Sequence, residues 1–378
     1  MKARNAIKDW YFNSSKKTFY LGGYAGSGKS TCIKPIVADL KLNPDSESDV
    51  LYGSFTGKAA VVLKSKGMKQ ATTIHRMIYI PQEDEFGRVI FRLNNDSMLR
   101  STKLVVLDEC SMINDIIAYD LLRFGVKILV IGDPGQLPPI EGTGAFTKDE
   151  PDFFLTEIHR QAAENPIIRL ATMARNGERI PFGNFSEHVK HVTAKEIDYE
   201  EFLNADQIIT GMNETRVKLN KDIKTNYGMG QYPIRAGAKV ICLKNDHKKG
   251  LLNGMLFTTT SNDCHWSPGK FFTQSLIDDD GRKYPKLDIY VGWFENYNEK
   301  KTLNIKENDL RIKSDMRKKN LAEFDYGYAI TVHKSQGSQW DNVFIYDDKC
   351  RWGGDTEIRK KWLYTGITRA AEQLTILS

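Results

Sequence analysis

Apolar positions along the chain fall into short continuous runs rather than alternating ones. Thr18-Phe19-Tyr20-Leu21, Val50 to Phe55, Leu104-Val105-Val106-Leu107 and Lys127 to Ile131 are rich in Val, Ile, Leu and aromatic side chains. Such runs suit strands of a parallel sheet buried on both faces. Helical stretches lie between them: about Gly28 to Leu42, a helix containing Lys58-Ala59-Ala60-Val61-Val62-Leu63, and one near Met112–Leu122. The alternation predicts an open α/β sheet, with ligands bound in the loops at the carboxyl ends of its strands.

Two segments depart from that pattern. Met77–Arg100 holds two β-prone runs, Ile78-Tyr79-Ile80 and Arg88-Val89-Ile90-Phe91-Arg92-Leu93, around the turn-like Glu83-Asp84-Glu85-Phe86-Gly87. This predicts an inserted hairpin. From Leu256 to about Lys313, short strands such as Leu287-Asp288-Ile289-Tyr290-Val291 are separated by Gly, Asp, Asn and Pro, as in a small all-β insert. After Pro151 a second α/β pattern begins, with a strand at Asp206–Thr210 and an amphipathic helix at Glu214–Thr225. It resumes at Tyr328–Thr331, Val343–Tyr346 and Leu374–Leu377. The fold expected is α/β, two similar domains with parallel sheets, each carrying an insert.

Length changes this picture little: 378 residues suit two to three compact units. No stretch approaches the roughly 18 apolar residues that span a bilayer. Met1-Lys2-Ala3-Arg4-Asn5 runs into Lys8-Asp9 without a signal-peptide core, so a cytoplasmic protein is expected. The five cysteines, Cys32, Cys110, Cys242, Cys264 and Cys350, are widely spaced, which argues against a disulfide framework. Cys264-His265 has no second ligand pair nearby, against zinc. A net charge of +6 favours a polyanionic partner only mildly.

The chemistry begins at Gly23-Tyr24-Ala25-Gly26-Ser27-Gly28-Lys29-Ser30, a P-loop pattern between a strand and a helix. Its glycines let backbone N–H groups of Gly23 to Thr31 wrap phosphates, helped by the helix N-terminus. Lys29 is expected on the β- and γ-phosphates, and the Ser30 hydroxyl on Mg²⁺. The bare pattern arises by chance in about one such chain per hundred, so its strand-loop-helix setting makes ATP binding a firm expectation. Pro35, early in that helix, is expected to kink it, since an interior proline costs about 3 kcal/mol.

Asp108-Glu109 end the most apolar strand. There Asp108 can join the Mg²⁺ shell, and Glu109 can orient and deprotonate the attacking water. The bland alternative is an acidic pair opening a loop. Gln136, within Gly132-Asp133-Pro134-Gly135-Gln136-Leu137-Pro138-Pro139, is a neutral group able to bond a γ-phosphate; alone this stretch is simply a turn.

These segments form an ordered series with Phe55-Thr56-Gly57-Lys58-Ala59-Ala60, Thr72-Thr73-Ile74-His75-Arg76 and Asp108-Glu109-Cys110-Ser111-Met112. It continues through Leu155-Thr156-Glu157-Ile158-His159-Arg160-Gln161, Ala329-Ile330-Thr331-Val332-His333-Lys334-Ser335-Gln336-Gly337 and Tyr364-Thr365-Gly366-Ile367-Thr368-Arg369-Ala370. The series resembles the motifs of superfamily 1 helicases, specifically the RecD/Dda branch, and spans almost the whole chain. The resemblance implies two RecA-like domains, residues 1–76 with 104–154 and residues 155–255 with 321–378. It labels residues 77–103 a pin hairpin and 256–320 a small SH3-like insert, shorter than that of Dda.

It further implies that Arg160 and Arg369 act as arginine fingers from the second domain and that Gln336 faces the nucleotide. Lys29, Asp108, Glu109 and Gln136 complete the expected catalytic set. Thr56, Lys58, His75, His333, Lys334 and Ser335 would line a single-stranded DNA track, with Phe86 at the pin tip. His75 taken alone is more often structural. The family's adenine-reading glutamine is missing, with Ala3 near its place. The activity implied is ATP- and Mg²⁺-dependent 5′→3′ translocation on single-stranded DNA with unwinding of partial duplexes. A monomer is expected, with single-strand-binding or replication proteins as further partners and no membrane. An RNA helicase, and an ATPase that remodels protein–DNA complexes without net unwinding, stay open as alternatives. Lys248-Lys249 and Arg317-Lys318-Lys319 read more simply as solvated charge, and Trp266 and Trp293 as core of the β insert.

Overall fold

The computed structural model describes residues 2–83, 89–139, 144–156, 164–193, 195–226, 234, 236–246, 249–262, 266–267, 271–278, 281–290, 294, 320–347 and 356–378. Two compact units emerge: Met1–Thr193, Ser335–Val343 and Arg351–Ile376 form one, and Ala194–Lys334, Phe344–Cys350 and Leu377–Ser378 the other.

In the first unit the chain runs α1 (Lys2–Asn13), β1 (Thr18–Gly23), α2 (Ile33–Asp39), β2 (Val50–Ser54), α3 (Gly57–Ser65), β3 (Thr72–Thr73) and α4 (Ile74–Ile78). It continues with β4 (Tyr79–Glu83), β5 (Val89–Leu93), β6 (Leu104–Asp108), α5 (Asp115–Leu122), β7 (Lys127–Gly132), β8 (Phe153–Leu155) and α6 (Pro166–Asn176). A six-stranded sheet has the order β3-β2-β6-β7-β1-β8, and the β1, β2, β6 and β7 pairings are parallel. Alternate residues of each strand enter opposite cores, the geometry that requires continuous apolar runs. Leu21, Tyr52, Val106 and Ile131 pack with Trp10 of α1 and Ile36 of α2, whereas Tyr20, Leu51, Val105 and Val130 pack with Ile74 of α4 and Leu121 of α5. Each such aliphatic side chain contributes about 1.5–3 kcal/mol on burial.

The expected hairpin is present as antiparallel β4 and β5, paired from Tyr79↔Leu93 to Glu83↔Val89. Its tip, including Phe86, lies outside the described residues, as do Arg160, Lys248, Cys264, His265, Trp293, Arg317–Lys319 and the side chain of Trp266. Sequence patterning missed α1, whose amphipathic face buries Ile7 and Trp10, and α4, whose Thr73 hydroxyl caps it by accepting the Arg76 N–H. The expected kink at Pro35 takes another form. The segment divides into a 3-10 turn, Ser30–Cys32, and α2, whose third residue is Pro35. A proline in the first turn removes an N–H that lacks an intrahelical acceptor anyway, so the interior penalty does not arise.

Downstream come β9 (Gly183–Ser186), β10 (Val189–Val192), α7 (Tyr199–Leu203), β11 (Gln207–Thr210), α8 (Asn213–Asn226), β12 (Lys239–Cys242), β13 (Leu256–Thr259) and β14 (Trp266–Ser267). Then follow β15 (Phe271–Asp278), β16 (Lys283–Tyr290), β17 (Phe324–Tyr326), β18 (Ala329–Thr331), α9 (Val332–Ser335), β19 (Trp340–Tyr346), α10 (Thr356–Ile367) and β20 (Ala370–Leu377). A second six-stranded sheet has the order β18-β11-β19-β20-β10-β9. A third, antiparallel sheet has the order β14-β15-β13-β12-β17, with β16 on β15. This all-β layer reaches beyond the anticipated insert: β12 and β17 flank it in sequence, and β12 pairs with both β13 and β17. In the second unit, Asn220 of α8 exchanges two 2.9 Å hydrogen bonds with the Ala329 backbone, and Arg216 meets Asp325 at 3.1 Å. These bonds fix β18 immediately ahead of His333.

Candidate nucleotide site and nucleic-acid face

The parallel register of the first sheet determines where the chemistry collects. Gly22 stands level with Gly132 and Ser54 with Asp108, so β1, β2, β6 and β7 all end at one edge. The P-loop leaves β1 there. Gly26 and Gly28 take φ of 80° and 78°, left-handed values that let the loop curl inward at no Cβ cost. Lys29 Nζ lies within the curl, donating to the Gly23 and Tyr24 carbonyls at 2.6 and 2.9 Å and standing 3.5 Å from Asp133 Oδ2. The Ser30 hydroxyl donates to Asp108 Oδ2 at 2.9 Å.

Asp108 is buried, and burial reinforced by the neighbouring Glu109 charge raises its pKa, against the lowering effect of the Ser30 bond. Its Oδ1 accepts the Glu109 N–H at 2.9 Å. Glu109 itself sits at φ 54°, ψ 45°. A non-glycine residue in that region carries strain on the order of 1–3 kcal/mol, which is found where a side chain must be aimed. The strain here belongs to the very residue expected to act as general base.

Ser30 and Asp108 supply hard oxygen ligands of the kind Mg²⁺ takes, and their convergence fits the ion. Among the described residues no cluster of three His, Cys, Asp or Glu side chains is placed to hold a metal ion.

Gln136 and Gln336 are buried, each with a side-chain carbonyl oxygen that has no partner among the described residues. An unmet buried acceptor costs about 1–3 kcal/mol, so both are poised for a donor such as nucleotide-bound water. Gln336 is held by its Nε2, which donates to the Leu137 carbonyl at 2.9 Å. Arg369 is also buried; its guanidinium donates to the Thr365 and Ser338 carbonyls at 3.1 Å and to the Thr368 hydroxyl at 3.0 Å. Those are neutral acceptors, so the described bonds leave its charge uncompensated by a carboxylate. Sequence reading named Gln136 but passed over Asp133 and Tyr364, although both stand in the quoted motifs. Tyr364 donates to Asp133 at 2.6 Å. A phenol reads as core until its hydroxyl is placed.

The candidate track residues separate into surface and interior. Thr56 caps α3, its hydroxyl accepting the Ala59 N–H at 3.1 Å, and Lys58 lies 4.5 Å over the Trp340 ring. His75 is half-buried between Phe55 and Tyr79, with ring centroids 5.7 and 5.8 Å away, and burial lowers its pKa. Phe91 of β5 is exposed 6.5 Å from His75, so the aromatic row extends onto the hairpin. In the second unit burial likewise lowers the His333 pKa, and the exposed Lys334 donates to Asn253 at 2.9 Å. Ser335 is fully buried and presents no hydroxyl at the surface. Ala3, at the expected adenine-reading position, packs partly buried against the α1–α2 core.

Residues 6–142 match the AAA domain family and residues 326–377 the UvrD-like helicase C-terminal domain. The ATP-dependent RecD2 DNA helicase of Deinococcus radiodurans is 27% identical over 93% of this chain, which spans only 46% of that protein. The ATP-dependent DNA helicase dda of Enterobacteria phage T4 is 25% identical over 92% of each chain. Among solved structures, a Bacteroides Pif1 helicase in complex with ADP-AlF3 and ssDNA covers the whole chain and 92% of its own at a TM-score of 0.57 and 18% identity, a likeness of fold. Matching domains at both ends, a relative aligned over nearly its whole length and the ordered motifs agree: the chain is related along almost its entire length to the superfamily 1 helicases of the RecD/Dda type.

Proposed function

We propose that this protein is an ATP-dependent DNA helicase that translocates 5′→3′ on single-stranded DNA and unwinds partial duplexes. The observation that carries the reading is the meeting of Lys29, Ser30, Asp108 and the strained Glu109 at one sheet edge, beside the unpartnered amide oxygens of Gln136 and Gln336. Lys29 neutralises phosphate charge once it leaves its loop carbonyls, and the backbone N–H groups of Gly26 to Thr31 supply the cradle. Ser30 and Asp108 would hold Mg²⁺, which would supply charge neutralisation for the phosphates. Glu109 takes the proton of the attacking water, and the two glutamines orient it. Arg369, and Arg160 by the family pattern, would stabilise charge developing on the γ-phosphoryl oxygens.

DNA is gripped in this reading by Thr56, Lys58 and His75 in one unit and by His333 and Lys334 in the other; buried Ser335 is left out. Domains are assigned at 1–76 with 104–154 and 155–255 with 321–378, and the antiparallel β4–β5 hairpin serves as the pin. The choice of DNA over RNA rests on kinship with proteins named as DNA helicases, and the 5′→3′ polarity on the resemblance of the motif series to the RecD/Dda branch. Unwinding assays on partial duplexes bearing a 5′ or a 3′ overhang, in DNA and RNA versions, test the whole reading. ATP-dependent opening of the 5′-overhang DNA alone is expected; opening from a 3′ overhang, or of RNA only, would refute it.

A further inference from the structure

Tyr364 lies against the P-loop, bonded to one of its backbone N–H groups but to neither Lys29 nor Ser30. Its side chain is 1% exposed. The hydroxyl donates to Asp133 Oδ2 at 2.6 Å and accepts the Ala25 N–H of the P-loop at 2.8 Å. Burial, and next the Asp133 charge, raise the phenol pKa well above its ordinary value, so the group keeps its proton and acts as the donor. The other Asp133 oxygen accepts the Gly135 N–H at 2.9 Å. Asp133 Oδ2, the atom that Tyr364 bonds, is also the one 3.5 Å from Lys29 Nζ. A single buried carboxylate oxygen is therefore shared between a phenol and the P-loop lysine.

The same helix is tied to the same loop one residue on, where the Thr365 hydroxyl accepts the Leu137 N–H at 3.0 Å. Gly135 has no Cβ where one would stand 2.9 Å from the Tyr364 ring, so the loop admits the ring only with glycine there.

We infer that Tyr364 is a positioning residue for ATP binding: by bonding Asp133 and Ala25 it limits how strongly Asp133 holds Lys29 and sets the start of the phosphate loop. The inference rests on the reading of Lys29 as the phosphate-binding lysine. Lys29 must leave Asp133 to meet a phosphate. A carboxylate satisfied by Tyr364 and the Gly135 N–H releases it readily, whereas one deprived of the phenol retains it.

Tyr364→Phe removes the hydroxyl and keeps the ring. Its ATP dissociation constant, read with a fluorescent ATP analogue on the full chain, is expected to rise about tenfold, the low end for losing a charge-assisted hydrogen bond. KM should rise in step, with kcat changed less than about threefold. Asp133→Asn removes the charge that holds Lys29 and should tighten ATP binding, the opposite sign from a loss of packing. In the Asp133→Asn background, Tyr364→Phe should add less than about a twofold effect. Multiplicative effects of the two substitutions, or weaker ATP binding in Asp133→Asn, would overturn the inference. Asp133→Asn alone decides it if Tyr364→Phe does not fold. ATP binding with this pattern but no unwinding would refute the helicase reading and leave the inference standing; unwinding with no Tyr364 effect on ATP would do the reverse.

Discussion

Ser30 Oγ and Asp108 Oδ2 stand 2.9 Å apart although 78 residues separate them in the chain. One leaves the P-loop, the other ends β6, and only the parallel register of the first sheet brings them together. Both are oxygen donors of the type Mg²⁺ requires. Chelating divalent metal, or replacing Ser30 by Ala, is therefore expected to slow ATP hydrolysis at least about a hundredfold, the equivalent of roughly 2.7 kcal/mol of lost barrier lowering. Steady-state ATPase assays with and without EDTA provide the check. Full activity in EDTA would exclude a metal role for the pair.

Glu109 occupies a left-handed backbone conformation beside Asp108. Glu109→Gln keeps side-chain shape and removes the base. ATP binding should persist while hydrolysis falls at least about a hundredfold, the lower range for general-base loss. Isothermal titration and single-turnover hydrolysis separate the two. Loss of ATP binding itself would make Glu109 a structural residue.

Burial lowers the pKa of His75 and of His333, which favours the neutral ring, so their proposed contact with DNA is expected to be stacking or hydrogen bonding rather than ionic. Lys58, near the start of α3 and over the Trp340 ring, is the basic side chain proposed for the DNA track in its unit. Lys58→Ala should reduce the slope of log affinity for single-stranded DNA against log salt by about 0.7, one phosphate's share. His75→Ala should weaken binding and leave the slope unchanged. Fluorescence anisotropy at several salt concentrations reads both. A slope change in His75→Ala would show a charged imidazole.

The β4–β5 hairpin carries exposed Phe91 level with Pro81, and Phe86 lies in the sequence that joins the two strands. Stacking of one aromatic on a base is worth about 1–3 kcal/mol. That matches the roughly 1.4 kcal/mol mean cost of opening one base-pair step. Replacing Glu83–Gly87 by a short glycine turn should spare DNA-stimulated ATPase activity and lower unwinding at least about tenfold. Wild-type unwinding after that change would acquit the tip as the wedge.

A Cβ at Gly135 would stand 2.9 Å from Tyr364 Cε1 and 3.2 Å from Asp133 Oδ1. Gly135→Ala should destabilise the first unit by about 1–3 kcal/mol through overpacking. It should also weaken ATP binding, because the ring that moves carries the hydroxyl on Asp133. Thermal melts and ATP titration test both effects. An unchanged melting temperature would mean the loop yields freely.

The first sheet was legible because its strands are buried on both faces, which forces continuous apolar runs such as Leu104–Leu107 and Lys127–Ile131. The P-loop and Asp108-Glu109 were legible because their chemistry demands particular residues in particular order. Less visible were elements whose pattern is weak or shared. β12, Lys239–Cys242, is four residues long, and its allegiance to the all-β layer depends on antiparallel pairing with Leu256–Thr259 and Phe324–Tyr326, which no local pattern encodes. Tyr364 was invisible for a related reason: its ring is ordinary core, and its role lies in where one oxygen points. Ser335 was grouped with the DNA track by its neighbours, yet a four-residue helix turns it inward.

The strand order β3-β2-β6-β7-β1-β8 has a consequence for synthesis. The P-loop strand is made before both of its neighbours in this sheet, β7, paired at Thr18↔Ile128, and β8, paired at Leu21↔Phe153. At about 5–20 residues per second, the ribosome needs on the order of 10 s to supply both partners. Until then the growing chain has its phosphate-binding residues but no sheet edge to hold them, so nascent chains ending before about residue 155 should not retain ATP. The phosphate loop is thus held in place only after β7 and β8 have followed it from the ribosome.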